Sequence, residues 1–440
     1  MANLSKQATS SSALAEPRPL RIGLLGFGTV GEGTYRMLSD NAASVTQKAG
    51  TPIEVVRIGV RDVTKERRAP ASLICADLMS IVEDPAVDLV VEVIGGIEPS
   101  LPLVRRALEL GKPVVTANKE MIAKHGAQLV NSAHAQGLDL HFEAAVGGGI
   151  PVVQALKHQL AGNDVPRMLG ILNGTSNYIL TKMAEGGADY AETLAEAQSL
   201  GYAEADPTND VEGFDTLYKI AILAGIVYGG PADLASIHRE GIADLSAREF
   251  DYAKILGYTI RLLGVAEECG PGRVRLRVHP TMVRNDHPLA SVRGVYNALW
   301  FHGDFVGDLM FSGRGAGADP TASAVVGDII DVARNRHHGA ASAIPYGPPL
   351  TMEGMDTVES RYYVRLNVVD RPNTLGRIAT AFGEHEVGLA EMEMHVVGPN
   401  EGEIAFLTHK SREADFTRSL AAIADLPVVN EVAAWLRVED

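Results

Sequence analysis

Between Ala197 and Lys219 the chain reads AQSLGYAEADPTNDVEGFDTLYK, which gathers Glu204, Asp206, Asp210, Glu212 and Asp215 within twelve residues and sets a lysine four positions beyond the last. If the tail of this run is helical, Asp215 and Lys219 share a face, because residues four apart are neighbours on a helix. A lysine held by a carboxylate beside a carboxylate-rich loop can orient an amino-acid substrate and polarise its carbonyl. Taken alone, Asp-x-x-x-Lys more often means a solvated ion pair on a helix surface. Its weight therefore depends on what else the chain carries.

A second chemical motif stands near the start. The apolar run RIGLL (21–25) leads into Gly26, Phe27, Gly28, Thr29, Val30 and Gly31, a G-x-G-x-x-G between an expected strand and an expected helix. The first glycine permits a tight turn, the second lets backbone approach a pyrophosphate, and the third allows close helix–strand packing. The phosphates would lie at the helix amino terminus, where free N–H groups and the dipole favour negative charge. The next strand, IEVVRIGV (53–60), ends at Arg61 and Asp62. An acidic residue there suits the ribose 2′-hydroxyl of NAD, and an arginine suits the 2′-phosphate of NADP. Arg61 comes first, with Lys65, Arg67 and Arg68 close behind, so NADP is the expected cofactor while Asp62 leaves NAD open.

These side chains need a scaffold. Strands alternate with helices through the first third of the chain, which predicts an α/β Rossmann domain, a doubly wound parallel sheet, over 20–146. KPVVTANK (112–119) delivers Thr116 and Lys119 at the carboxyl end of one strand, where such sheets bind ligands. From 147 to 310 the pattern becomes α+β, with helices expected at 151–161, 175–185, 190–200, 213–228 and 245–265 among strand-like segments. This is the expected substrate-binding, catalytic and dimerisation domain. The segment 311–340 should return to complete the first domain, its glycine loop bringing Gly315 and Gly317 towards the cofactor. A linker is expected over 341–358, with polar, Pro- and Gly-rich sequence already starting at 336. His337 and His338 have no carboxylate or cysteine partner at ligand spacing and read as part of that exposed stretch. Residues 359–440 give the order βαββαβ, a ferredoxin-like layout.

Composition narrows the class. The chain has 440 residues, 46% of them hydrophobic, with 39 basic and 55 acidic side chains for a net charge of −16. That balance argues against nucleic acid or an anionic membrane as the main partner. Two cysteines, Cys75 and Cys269, cannot form a disulfide framework, so a reducing, cytoplasmic setting is expected. No apolar run reaches the length that spans a bilayer. Residues 1–19 are small and polar and read as a disordered leader, not a secretory signal.

The chain resembles the homoserine dehydrogenase family over nearly its whole length. Ala197, Gly201, Tyr202, Asp206, Pro207, Asp210, Val211, Gly213, Asp215 and Lys219 match that family's diagnostic motif without a mismatch. The other hallmarks follow in order: GFGTVG at 26–31, TANK at 116–119, EAAVGGGIP at 143–151, NGTSNYIL at 173–180 and GAG at 315–317. The resemblance implies hydride exchange between a nicotinamide cofactor and the pair L-aspartate 4-semialdehyde and L-homoserine. It places both Lys119 and Lys219 in the active site. We expect Lys119 to donate and accept the proton, with Lys219 polarising the carbonyl and Asp215 fixing it, although the division between the lysines is open. Glu204 would hold the substrate ammonium, and Asp210, Tyr202 and the turn at Asn173, Gly174 and Thr175 would line the pocket. The resemblance further implies a monovalent cation, typically sodium, at Glu143, Val146, Gly148 and Ile150; carbonyl oxygens suit such a hard ion.

The last unit resembles an ACT domain, a module that commonly binds amino acids between two copies. Its usual Asp-x-Pro-Gly loop is here Asp370, Arg371, Pro372 and Asn373, and asparagine tolerates the left-handed backbone that the glycine normally supplies. Feedback by threonine and a homodimer or homotetramer are expected on this basis. Two rivals make different demands. Aspartate-semialdehyde dehydrogenase chemistry needs a thiolate nucleophile, and neither cysteine has a histidine beside it in sequence. An amino-acid-binding regulatory protein on a relic dinucleotide fold would have no use for Lys119, Glu204, Asp215 and Lys219 together.

Overall fold

The computed structural model describes residues 18–439, so most of the expected leader lies outside the described residues. The first sheet holds β1 (Leu20–Leu25), β2 (Ile53–Gly59), β3 (Ile74–Cys75), β4 (Leu89–Glu92), β5 (Val114–Thr116) and β6 (Leu140–His141). All pairings are parallel and the order is β3-β2-β1-β4-β5-β6, with the reversal between β1 and β4. Leu20, Ile22, Leu24 and Leu25 are fully buried, as continuous apolar strands of parallel sheets must be when helices cover both faces. The helix Ala318–His338 packs on the helix Thr29–Asp40, and Val325, Val326 and Ile329 join the core of this sheet.

The second sheet starts from β7 (Arg167–Ile171) and adds β8 (His238–Arg239), β9 (Tyr258–Gly270), β10 (Arg273–Arg284), β11 (Tyr296–Gly303) and β12 (Gly307–Arg314). Its remaining strands are β13 (Thr351–Met352), β14 (Glu359–Val369), β15 (Leu389–Gly398), β16 (Glu401–Thr408), β17 (Ser411–Arg412) and β18 (Val429–Glu439). The main path runs β12-β11-β7-β9-β10-β18-β14-β16-β15. The last four of these, with the helices Thr374–Glu384 and Glu413–Ala424, follow the order βαββαβ along the chain. One edge of β10 is shared out in succession to β13, β8 and β18, all parallel to it.

Several expectations need correction. The helix expected at 245–265 stops at Ile255, and Tyr258 onward is β9: the YTIRLLGVA run buries on both faces, which periodicity cannot distinguish from a buried helix. The segment 151–161 is a short helical turn, Val152–Gln154, followed by π-helix over Ala155–Gln159. Residues 311–314 belong to β12 of the second sheet, so only the helix after them returns to the first domain. That helix continues through His337 and His338, and Arg336 in its last turn places a cation where the dipole favours one. The segment after it is held in place: Tyr346 N–H donates to Asn131 Oδ1 at 2.8 Å, Leu350 N–H to the Pro231 carbonyl at 3.0 Å, and β13 pairs with β10. The terminal unit continues the second sheet, Thr281, Met282 and Val283 of β10 pairing with Arg437, Val438 and Glu439 of β18.

Candidate active site

Three helix starts converge beside the carboxyl ends of the first sheet. Asn118 follows β5 and caps the helix Lys119–Ala135, its Oδ1 accepting Met121 N–H at 3.1 Å, so Lys119 sits in the first turn. Asn173 follows β7 and caps Gly174–Gly186, its Oδ1 accepting Ser176 N–H at 2.8 Å. The helix Phe214–Tyr228 begins after Gly213, whose φ of +81° is the left-handed turn that glycine allows.

Asp215 lies where they meet. Its Oδ1 is ion-paired with Lys119 Nζ, and its Oδ2 is 2.7 Å from Lys219 Nζ. Lys219 also donates to the Leu172 carbonyl at 2.6 Å. The Asn173 amide donates to Asp215 Oδ2 at 2.9 Å and to Asp210 Oδ1 at 2.7 Å. Two ammonium groups from distant parts of the chain therefore share one carboxylate. Lys219 is 8% exposed at its side chain and Lys119 44%, so Lys119 is the more accessible of the two.

The electrostatics follow from this geometry. Burial pushes Asp215 up, but the two ammonium groups outweigh it and hold the carboxyl well below the usual range. Burial depresses Lys219 below an ordinary lysine, with the Lys119 charge adding to the effect and Asp215 only partly opposing it. Burial also works against a charged Lys119, yet Asp215, Asp210 and Glu204 together raise it. Burial raises Asp210 despite its bond from Asn173. Such a pair can place positive charge and a proton where an aldehyde oxygen becomes an alkoxide.

The acidic loop lies alongside. Glu204 is exposed and its charge reaches Lys119. The Tyr202 ring packs on Tyr178 with centroids 5.0 Å apart, and the Tyr202 carbonyl accepts the Thr175 hydroxyl at 2.6 Å. The Thr175 proton is thus spent on the loop, and Gly174, 2.9 Å from the Val295 carbonyl at its would-be Cβ, serves close packing. Asp206 turns to Thr208, away from the cluster. Sequence reasoning missed Asn297 on β11. Its amide donates at 2.8 Å to the same Leu172 carbonyl that receives Lys219. The available signal was one polar residue inside the apolar run VYNALWF.

The glycine motif has the shape its spacing implies. Gly26 has φ +102°, and a Cβ on Gly31 would strike the Gly26 carbonyl. A Cβ at Gly28 would meet no protein atom, and Gly28 opens the helix Thr29–Asp40 beside Phe27, Thr29 and Val30. Those features fit a dinucleotide pyrophosphate. Arg61 is exposed just past β2, whereas the Asp62 carboxylate accepts Thr64 N–H at 2.8 Å and its hydroxyl at 2.6 Å, bonds that lower its pKa. The Thr116 hydroxyl donates to Glu92 Oε2 at 2.6 Å and is fully buried, which leaves its backbone for a cofactor. The loop of Gly315 and Gly317 presses on the 147–149 turn, a Cβ at Gly148 coming 2.5 Å from the Gly315 carbonyl.

The candidate cation turn fits only through its backbone. The Glu143 carboxylate accepts Val153 N–H at 2.9 Å and Gln154 N–H at 2.7 Å, and the Ile150 carbonyl accepts Val152 N–H at 2.8 Å. The carbonyls of Val146 and Gly148 accept no hydrogen bond from a described residue, leaving them the donors best placed for a monovalent ion. Among the described residues, no three histidine, cysteine or acidic side chains gather to hold a metal.

Comparison with known proteins is decisive. A family model described as homoserine dehydrogenase matches residues 151–330, and one described as homoserine dehydrogenase, NAD binding domain, matches 26–143. Homoserine dehydrogenase of Mycobacterium tuberculosis is 41% identical, the alignment covering 96% of this chain and 98% of that protein. The chain belongs to the homoserine dehydrogenase family. The Synechocystis homoserine dehydrogenase is 42% identical over 95% of this chain and 99% of its own length. The crystal structure of a homoserine dehydrogenase from Thiobacillus denitrificans superposes with a TM-score of 0.91 at 40% identity, covering 96% of this chain and 99% of the other. A hyperthermophilic archaeal homoserine dehydrogenase in complex with NADPH covers 72% of this chain and 98% of its own, with a TM-score of 0.62 at 29% identity. The protein is thus an NAD(P)-dependent oxidoreductase of homoserine dehydrogenase type, which interconverts L-aspartate 4-semialdehyde and L-homoserine in amino-acid biosynthesis. No helix among the described residues is long and apolar enough to cross a membrane.

Proposed function

We propose that Lys119, Asp215 and Lys219 form the reaction centre, that Lys119 moves the proton, and that NADP is the preferred cofactor. The observation that carries this is the single Asp215 carboxylate held between two ammonium groups a hundred residues apart. A bound nicotinamide supplies or accepts the hydride at the substrate's C4. Lys219 is fixed from two sides by Leu172 and Asp215, which suits a positioning charge near the carbonyl oxygen. Among the described residues Lys119 is ion-paired with Asp215 alone, and it is more exposed than Lys219, which suits the group that gives its proton to the alkoxide and retrieves it in the reverse direction. Glu204, with Asp210, Tyr202 and the Asn173–Gly174–Thr175 turn, would bind the amino-acid end. Arg61 would take the 2′-phosphate. Homoserine-dependent reduction of NADP by the purified full chain tests the reading, together with Lys119→Met. Turnover undiminished in that variant would remove Lys119 from the reaction.

We further propose that the Val146–Gly148 carbonyls hold a structural monovalent cation, and that residues 359–440 act as an ACT-type regulatory unit in a homodimer or homotetramer. Asn373 has φ +72° where the family loop uses glycine, and a crevice of about 140 Å³ lies against Asp370, Asn373 and His395. Threonine is the proposed effector. Inhibition of the intact enzyme by threonine, lost in Asn373→Val, is the expected result; inhibition unchanged in that variant would place the effector elsewhere.

A further inference from the structure

A crevice of about 210 Å³ lies away from the Lys119–Asp215–Lys219 centre, behind the helices that carry it. Val130 comes from the helix Lys119–Ala135 and Ile226 from Phe214–Tyr228. Leu156 and Leu160 come from the irregular 152–160 segment, and Ile344 and Tyr346 from the strap that follows the helix Ala318–His338. The strap is pinned as a wall, Gly347 N–H donating to the Gly229 carbonyl at 2.7 Å and the Ala343 carbonyl lying 2.9 Å from His134 Nδ1.

One charged side chain lines this largely apolar space, and of the other polar side chains there Asn163 is turned to Val306 N–H and the Leu160 carbonyl while Tyr346 adds a phenol. Lys157 sits in the π-helical turn Ala155–Gln159, closed by the bond from Leu160 N–H to the Ala155 carbonyl at 2.9 Å. Such π-helical turns are frequent at functional sites. Its Nζ rests 3.9 Å above the centre of the Phe142 ring, and no described residue accepts a hydrogen bond from it or pairs with it. Asp328 and Glu143 act on it only at longer range. Their carboxylates are turned to other donors, Asp328 to Glu143 N–H at 2.9 Å, Glu143 to Val153 and Gln154 N–H. An ammonium group with its donors uncommitted, in an apolar crevice, leaves a strong hydrogen-bonding demand unmet.

We propose that this crevice is a binding site for a small aromatic monocarboxylate, its ring among the apolar walls and its carboxylate on the Lys157 ammonium. An apolar cavity of about 150 Å³ accommodates benzene, so the space here admits one ring and a carboxylate but not a larger fused system carrying further polar groups. The single ammonium selects one anionic group, and with no carboxylate in the lining the ammonium of an amino-acid zwitterion would have no ionic partner.

Isothermal titration calorimetry of the full chain with benzoate tests this. Binding at one site per chain is expected, undisturbed by saturating homoserine and NADP, with the uncharged analogue benzamide at least tenfold weaker. Lys157→Met, which keeps the length and apolar stem, should weaken benzoate at least tenfold, and Ala161→Phe, from an exposed lining position, should abolish it by filling the space. Both variants should still oxidise homoserine, which reports their fold. No heat up to about 10 mM benzoate, equal affinity for benzamide, or displacement by homoserine would each overturn the proposal on the unmodified enzyme.

Discussion

The Asn173 side-chain amide donates to the same oxygen of Asp215 that Lys219 reaches, at 2.9 and 2.7 Å respectively. Asn173 is simultaneously the cap of the helix that follows β7. The orientation of the central carboxylate is therefore set by a helix terminus outside its own helix. Asn173→Ala should leave a folded enzyme whose kcat for homoserine oxidation falls on the order of tenfold, the cost of about one charge-assisted hydrogen bond. Substitution by aspartate would set a third carboxylate against Asp210 and Asp215 and should be worse. Equal kinetics for Asn173→Ala and the parent would show that Asp215 needs no such guide.

The two lysines should separate kinetically. Lys119→Met is expected to lower kcat by two orders of magnitude or more, the usual scale for losing a proton-transfer group. Lys219→Met should raise KM for homoserine more than it lowers kcat if it mainly positions the carbonyl. Stopped-flow and steady-state measurements on both decide the allocation, and the opposite pattern would exchange their roles.

Asp215→Asn leaves Lys119 and Lys219 facing each other without their shared anion. The Lys119 ammonium is raised by Asp215, so removing that carboxylate lowers its pKa. In the direction of homoserine oxidation, where the neutral amine accepts the proton, the residual rate should begin to rise at lower pH than in the parent. The maximum rate should still fall by two orders of magnitude or more. A pH–rate profile with an unshifted limb would contradict this assignment of charge.

Cofactor choice should lie with Arg61. Arg61→Ala is expected to raise KM for NADP roughly tenfold, equivalent to about 1.4 kcal/mol, while leaving KM for NAD unchanged. Parallel changes for both cofactors would mean that Arg61 supports the loop and does not read the 2′-phosphate.

Acid stability should depend on Glu267. Burial pushes its carboxyl up, but Arg277, Arg167 and Arg275 outweigh it and bring its pKa from 4.5 to about 2. Arg277 Nη1 and Arg167 Nε lie 2.7 and 2.8 Å from it. A depressed folded-state value stabilises above the unfolded value near 4.5 and is lost as pH falls through about 2. Glu267→Gln should therefore cost on the order of 3 kcal/mol at neutral pH, with the difference in thermal midpoint shrinking as pH falls below 4.5. A difference independent of pH would mean that packing, not charge, is what the substitution removes.

Much of the site was legible because its residues carry chemistry at fixed spacing. Gly26 to Gly31 need particular backbone shapes, and Asp215 and Lys219 sit one helical turn apart. What stayed hidden depends on tertiary partners. Nothing local says that the Thr116 hydroxyl is consumed by Glu92, that Glu143 caps the turn at Val153 and Gln154, or that Asn297 reaches the carbonyl beneath Lys219. The overlong helix expected after Ser246 shows a different limit. Its true start is marked by the Ser246–Glu249 capping box, but Leu256–Gly257 ends it, and the apolar strand beyond carries no periodicity of its own. The joining of the terminal unit to the second sheet through β18 is a long-range pairing of the kind no short window of residues encodes.

That pairing orders events during synthesis. Through Thr281, Met282 and Val283 the middle of the polypeptide leaves part of one strand margin unpaired until residues 429–439 have been made. Arg167, beside β9, likewise waits for Glu439. An uncovered margin invites pairing with the wrong chain. The half that carries the reaction centre therefore completes its own sheet only after the ribosome has delivered the final strand, and shortened chains ending before it should be recovered as aggregates.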